Sequence, residues 1–189
     1  MGVSGFPDLY LLRHGQTEWN VEGRLQGRMD SPLTARGIAQ AERQAELLRG
    51  LAPDLLRYSS TAGRALQTAR IVFGAQDFTQ DARLQEIDVG GFTGAREADL
   101  RLSHPALFCD DPLGWYDRTP GGEHLADLAR RVRGFLDGLH GPAIVVTHGI
   151  TLRMIRQIAM AEPAADLGGR PVHQGAIHLV RGGAEDVIY

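Results

Sequence analysis

Leu9-Tyr10-Leu11-Leu12-Arg13-His14-Gly15-Gln16-Thr17-Glu18-Trp19-Asn20 is the stretch on which the fold turns. Four apolar residues in succession suit a strand covered on both faces. The run stops at a cation, an imidazole and a glycine that lets the backbone turn sharply where a ligand approaches. In open α/β sheets, ligands gather at the carboxyl ends of strands. A strand ending in Arg-His-Gly therefore proposes an anion site, with Arg13 as a forked donor and His14 as nucleophile or base. From these residues alone, a buried and merely hydrogen-bonded histidine is the competing reading of His14.

A second stretch repeats the device. After Pro142, Ala143-Ile144-Val145-Val146-Thr147-His148-Gly149 is another buried-strand run ending in a His-Gly pair. The helix that follows, Ile150 to Met160, is apolar on nearly all sides and points its N-terminus toward the site. Leu55-Leu56-Arg57-Tyr58 reads as a strand, and Ser59-Ser60-Thr61 offers caps for a helix from about Ala62 to Phe73 with core residues Leu66, Ala69, Val72 and Phe73. Arg64 falls in its first turn, where backbone N–H groups and the helix dipole favour anions.

The remaining elements frame these units. Val21 to Ser31, rich in Gly, Arg and Gln, reads as an active-site loop. Thr34 caps a helix to about Arg49 with Ile38, Ala41, Ala45 and Leu48 inward and Gly50 as its stop. Glu123 opens an amphipathic helix with Leu125, Leu128, Ala129, Val132, Phe135, Leu136 and Leu139 inward and Arg130, Arg131 and Arg133 solvated. Ala176 to Val180 reads as a last strand. Gln76 to Gly122 is the least regular segment, an insertion or lid holding a short helix near Ala95 to Ser103.

Composition narrows the function. The 189 residues, 43% hydrophobic and 23% charged, suit one α/β domain over 1–189 with the irregular insertion at about 76–122. All 20 basic residues are arginine, so Schiff-base and P-loop lysine chemistry is excluded. A net charge of -3 and a pI near 6.1 argue against nucleic acid as a partner. Cys109 alone allows no internal disulfide, Met1 to Asp8 lacks a leader pattern, and no apolar run reaches membrane-spanning length. The expectation is a cytoplasmic protein without a membrane partner. Its oligomeric state is left open.

Taken jointly, Arg13-His14-Gly15 with Thr17 and Asn20, Asp30-Ser31-Pro32-Leu33-Thr34 with Gly37, Arg64 within Ser-Ser-Thr-Ala-Gly-Arg-Ala-Leu-Gln-Thr-Ala, Leu84-Gln85-Glu86 and His148-Gly149 resemble the histidine phosphatase superfamily. The resemblance implies a phosphoglycerate-mutase-like fold, a three-layer α/β/α sandwich with a largely parallel central sheet. It implies a phosphate pocket of Arg13, His14, Arg64 and His148, phosphoryl transfer onto His14, and Glu86 as general acid and base. Asn20, Gln26 and Gly27 would line the phosphate or hold the loop. The substrate is expected to be a small-molecule phosphomonoester, with no metal and no cofactor.

Elementary chemistry is consistent with these roles. The attacking imidazole must be neutral, and two nearby arginines disfavour its protonation. One ring nitrogen then attacks while the other donates to a fixed acceptor. The arginines clamp the equatorial oxygens, and His148 adds a donor if protonated. His124 stands where phosphatases resembling this chain often carry serine, and Trp19, Trp115 and Tyr116 border the substrate or pack the core. Three alternatives stand beside the phosphatase. One is a cofactor-dependent phosphoglycerate mutase. Another is a metal-dependent hydrolase with His14, His148 and Glu86 as ligands, which the neighbouring Arg13 opposes. The last is a catalytically silent binding protein.

Overall fold

The computed structural model describes residues 5–50, 55–109, 113–163 and 167–189. Met1 to Ser4 of the N-terminal reading and Pro112 of the irregular segment lie outside the described residues. Six strands, β1 (Leu9–Arg13), β2 (Leu56–Ser59), β3 (Thr79–Gln80), β4 (Ala143–Thr147), β5 (Ile177–Arg181) and β6 (Ala184–Ile188), form one sheet in the order β3-β2-β4-β1-β5-β6. β3, β2, β4 and β1 run parallel, whereas β5 is antiparallel to β1 and β6 to β5. The helices are α1 (Glu18–Val21), α2 (Ala35–Leu47), α3 (Gly63–Phe73), α4 (Glu97–Ser103), α5 (Leu125–Leu136) and α6 (Gly149–Met160).

Period-2 alternation sorts the strand residues between two helical layers. Leu9 and Leu11 of β1 join Val145 of β4 in a core with Leu128, Val132 and Phe135 of α5 and Leu152 and Ile155 of α6. Tyr10 and Leu12 face the opposite way, with Ile144 and Val146, against Ala41 of α2 and Ala65, Ala69 and Val72 of α3. Both central strands are thus covered on each face, which is why they read as unbroken apolar runs. The result is the expected α/β sandwich with a largely parallel sheet.

The register sets the site. Arg13 pairs with Thr147 across the parallel β1–β4 ladder, and the His14 N–H donates to Thr147 O at 2.9 Å. His14 and His148 therefore leave the sheet at one level. Ser59 pairs with Val146, and the Ser60 N–H donates to Val146 O at 2.9 Å, so Ser60 leaves β2 beside them.

Several local expectations are corrected. Ala176 to Val180 is not the last strand. Gly182 and Gly183, both at positive φ (56° and 81°), turn β5 into β6 as a two-residue hairpin. The buried face of α2 is Gly37, Ala41 and Gln44, while Ile38 is 36% exposed. α3 has no Ser or Thr side-chain cap; the Asp30 carboxylate, arriving from the loop, accepts from the Arg64 N–H at 3.1 Å. Leu66 is half-buried, with Ala65 and Thr68 on the core face instead. α5 starts at Leu125 rather than Glu123, whose carboxylate makes a bidentate pair with Arg131 at 2.6 and 2.9 Å, so Arg131 is not simply solvated.

Gly15 is needed for a different reason than a turn. Its φ is not positive; a Cβ on it would stand 2.2 Å from Gly37 O, and one on Gly37 would stand 2.1 Å from Gln16 O. The backbone of the loop after β1 and α2 lie directly against each other, which rotates α2 away from its apolar stripe. Helix propensity alone favours alanine over Gly37 by about 1 kcal/mol. We expect Gly37→Ala to destabilise the protein instead, by roughly 1–3 kcal/mol of overpacking. Urea unfolding measures it, and a raised midpoint would contradict the backbone contact.

Candidate active site

His14 is buried at the carboxyl end of β1. Its Nδ1 lies 2.8 Å from Gly15 O, an atom that only accepts, so Nδ1 carries the ring proton. Nε2 then presents its lone pair, and the Arg64 Nε–H donates to it at 3.3 Å. Burial pushes His14 well below the ordinary imidazole range, and Arg64 and then Arg13 push it further in the same direction. The arginines contribute as the sequence implies, but desolvation is the larger cause.

Arg64, 1% exposed, is fastened on several sides. It donates to Met29 O at 2.7 Å, Asp30 Oδ1 at 3.1 Å and Gly27 O at 3.0 Å. Gly27 sits at φ 49°, and a Cβ there would stand 2.8 Å from Val89 Cγ2. The close packing of this carbonyl-bearing turn leaves no room for a side chain. Gly63 is bare for a like reason, since a Cβ would stand 2.1 Å from Asp30 Oδ2. Arg13 is held less completely. Its NH1 reaches Val172 O at 3.5 Å, and its buried Nε has no hydrogen-bond partner among the described residues.

Glu86 occupies the N-terminus of α6. Its Oε1 accepts from the N–H groups of Ile87 (3.1 Å) and Thr151 (3.0 Å) and from the Thr151 hydroxyl (3.2 Å). Among the described residues Oε2 accepts only from the Ile150 N–H, at 3.2 Å. The Arg13 guanidinium carbon and Glu86 Oε2 lie 3.6 and 3.7 Å from the point where a Cβ on Gly149 would stand, so this glycine leaves space where they converge. The helix N-termini offered to a ligand anion are thus engaged by the protein's own carboxylates, Asp30 at α3 and Glu86 at α6.

His148 is fully buried, edge-on to His14 with ring centroids 5.1 Å apart. Its Nε2 is 2.7 Å from Ser60 Oγ, and its Nδ1 has no partner among the described residues. Burial first, then Arg64 and His14, push it well below the ordinary imidazole range. These causes favour the neutral ring in the unliganded site.

Arg13, His14, Arg64 and Glu86 end a cavity of about 530 Å³ lined also by Asn20, Gln26 and Gly27, whereas His148, packed edge-on to His14, is not among its lining residues. Asn20 ties down the loop and lines the cavity. Its Oδ1 accepts from the Thr17 N–H at 3.1 Å in a capping box. Gln26 donates to Thr17 Oγ1 at 2.9 Å, with Oε1 buried and unpartnered among the described residues. The outer walls are Leu25, Ile87, Val89 and Ala98, the Glu22–Arg24 pair, Glu97 (paired outside the wall with Arg101), Arg96, Asp99 and Tyr116. Burial and the Glu86 and Glu97 carboxylates raise the Tyr116 phenol above its ordinary value, so it stays protonated. Trp115 packs in the core, stacked on Tyr116 at 3.9 Å, while His124 is exposed and does not line the cavity. Among the described residues no group of three or more His, Cys, Asp or Glu side chains is arranged to hold a metal ion, and no helix is long and apolar enough to cross a membrane.

Sequence reasoning missed Asp30 as an anchor, Ser60 and Thr151 as partners, and Gln174, which donates to His14 O at 3.1 Å and Asn20 Oδ1 at 3.3 Å. Only Ser60 and Asp30 lay within motifs already singled out.

Comparison with known proteins agrees with this geometry. A family model described as the histidine phosphatase superfamily (branch 1) matches residues 9–187. A Proteus mirabilis protein named "Probable phosphoglycerate mutase GpmB" is 37% identical over 167 residues, covering 82% of this chain and 76% of its own. YhfR of Bacillus stearothermophilus superposes with a TM-score of 0.79 at 33% identity, over 96% of this chain and 95% of its own. The alpha-ribazole phosphatase of Shigella flexneri does so with a TM-score of 0.80 at 27% identity, over 96% and 95%.

The two buried imidazoles make stability depend on pH. In the unfolded chain they take protons near pH 6.5, whereas in the folded protein they stay neutral well below it. The unfolded state then binds more protons, so stability falls as pH drops below about 6.5, by up to about 1.4 kcal/mol per pH unit for each histidine. Urea unfolding at pH 7.5, 6.5 and 5.5 should show this decline, with a shallower slope in His14→Gln. A flat profile would contradict the neutral pair.

Proposed function

The chain belongs to the histidine phosphatase superfamily, and from that premise we propose that it hydrolyses small phosphomonoesters through a phosphohistidine on His14. The observation that carries the reading is the His14 ring itself. Its proton is committed to Gly15 O, leaving Nε2 neutral and nucleophilic beside a fixed guanidinium at the end of a cavity.

In this mechanism the Nε2 lone pair attacks phosphorus and the bond to the leaving oxygen breaks. Glu86 gives its proton to that oxygen, which departs as the alcohol. Oε2, with one backbone donor, is the oxygen free to carry the proton. The Glu86 carboxylate then takes a proton from water, the water oxygen attacks phosphorus, and the P–N bond breaks to release inorganic phosphate. Arg13 Nε, the one uncommitted N–H of Arg64, the Asn20 amide and His148 receive the oxygens. No metal takes part. A cation at His14 Nε2 would stand against the Arg64 guanidinium, which disfavours a metal-dependent hydrolase.

The leaving group we propose is a neutral alcohol. Beyond the phosphate end, the wall carries charges of both signs, with Glu22 paired to Arg24, Glu97 paired to Arg101, and Arg96 and Asp99 also lining it. This mixed lining suits a second anion such as a phosphoglycerate carries less well than a neutral group, for which Tyr116 and Leu25 offer an aromatic and apolar wall with one phenolic donor. The mutase named among the relatives is the second reading.

A panel of phosphomonoesters including p-nitrophenyl phosphate and phosphoglycerates, assayed with EDTA, tests this. Expected are chelator-resistant phosphate release inhibited by vanadate, loss of activity in His14→Ala, and a kcat about 10²–10⁴-fold lower in Glu86→Gln for alkyl phosphates. The loss should be smaller for p-nitrophenyl phosphate, whose leaving group needs less protonation. Phosphoglycerate isomerisation without phosphate release would favour the mutase.

A further inference from the structure

We propose that Ser60 is a positioning residue for His148: its hydroxyl donates to Nε2 and holds the ring proton on Nδ1. The argument is a count of protons at a fully buried place. Ser60 Oγ accepts from the Ala62 N–H at 3.3 Å and lies 2.7 Å from His148 Nε2. Among the described residues the Ser60 hydroxyl proton has no other acceptor at hydrogen-bond distance. Directed at Nε2, it satisfies that lone pair and leaves Nδ1–H as the one orphan.

The opposite tautomer strands two groups. Nε2–H would take the second lone pair of Ser60 Oγ beside the Ala62 N–H, so the serine proton would lose its acceptor, and the Nδ1 lone pair would be buried with no donor among the described residues. Strand register enforces the pair, since the Ser60 N–H is bonded to Val146 O and His148 follows two residues later, just beyond the end of β4. The consequence, which rests on the phosphoryl reading above, concerns His148 as a neutral ring. Packed edge-on to His14, it still offers an N–H donor, and Ser60 decides which nitrogen supplies it.

The test is a long-range ¹H–¹⁵N correlation spectrum of the intact ¹⁵N-labelled protein at pH 7.5, with His148→Gln assigning the signals. The expected wild-type pattern is an Nδ1–H imidazole that shifts when orthovanadate is added. Ser60→Ala should move the ring to Nε2–H or a mixture and lower kcat about tenfold or more on p-nitrophenyl phosphate. An Nε2–H ring or an imidazolium in the wild type overturns the proposal, as does an unchanged pattern in Ser60→Ala. The wild-type spectrum alone decides if that variant does not fold. An Nδ1–H pattern indifferent to vanadate, in a protein without phosphatase activity, would support the role of Ser60 and overturn the phosphoryl reading instead.

Discussion

Two guanidiniums and two imidazoles share a buried space at the carboxyl ends of β1 and β4, and the surrounding structure is arranged around holding them there. Cations away from water need acceptors, and imidazoles in that position stay neutral. Arg64 meets the first demand with two backbone carbonyls and Asp30. Arg13 meets it only in part, and its unpartnered Nε is a donor in reserve for an anion. Burial pulls both guanidiniums below their ordinary value and Glu86 opposes it, which ties the carboxylate electrostatically to the cations it faces.

Holding these groups is a matter of backbone contacts as much as of side chains. Gly15 and Gly37 let α2 rest on the loop after His14, and the buried Gln44 amide donates to Arg13 O and Ala176 O at 3.2 and 3.0 Å. A buried network at β5 and β6 steadies the segment on the other side. Despite burial, the His178 and Arg156 hydrogen bonds pull Glu185 down to about 2. Arg156 donates to Pro171 O at 3.2 Å and Arg170 O at 2.9 Å. That segment delivers Val172 O to Arg13 and Gln174 to His14 and Asn20. A network with no chemistry of its own thus sets two edges of the phosphate end.

What could be read from the sequence was what is local. β1 and β4 were legible because burial on both faces leaves unbroken apolar runs, and Thr34 because an N-cap acts within three residues. Arg13, His14, Arg64 and His148 were legible because each stands at a strand end or first helical turn. Glu86 was not, since a loop glutamate carries no local mark, and only the family resemblance raised it. Asp30 and Gln174 escaped because their partners lie 34 and 160 residues away in sequence. The buried face of α2 was misjudged because a backbone contact, not the apolar stripe, orients it. The β5–β6 hairpin had a readable signal in Gly182-Gly183, which was overlooked; the two exposed residues of β3 had none.

The central claim is that His14 Nε2 takes the phosphoryl group. Its most direct test is rapid quench of Glu86→Gln reacting with p-nitrophenyl phosphate, followed by mass spectrometry and ³¹P NMR of the trapped protein under alkaline conditions. The account predicts one acid-labile phosphoryl group, on His14 and bonded to Nε2. Phosphate on Nδ1 or on another residue, or a full burst of p-nitrophenol with no phosphoprotein at any time, would contradict it.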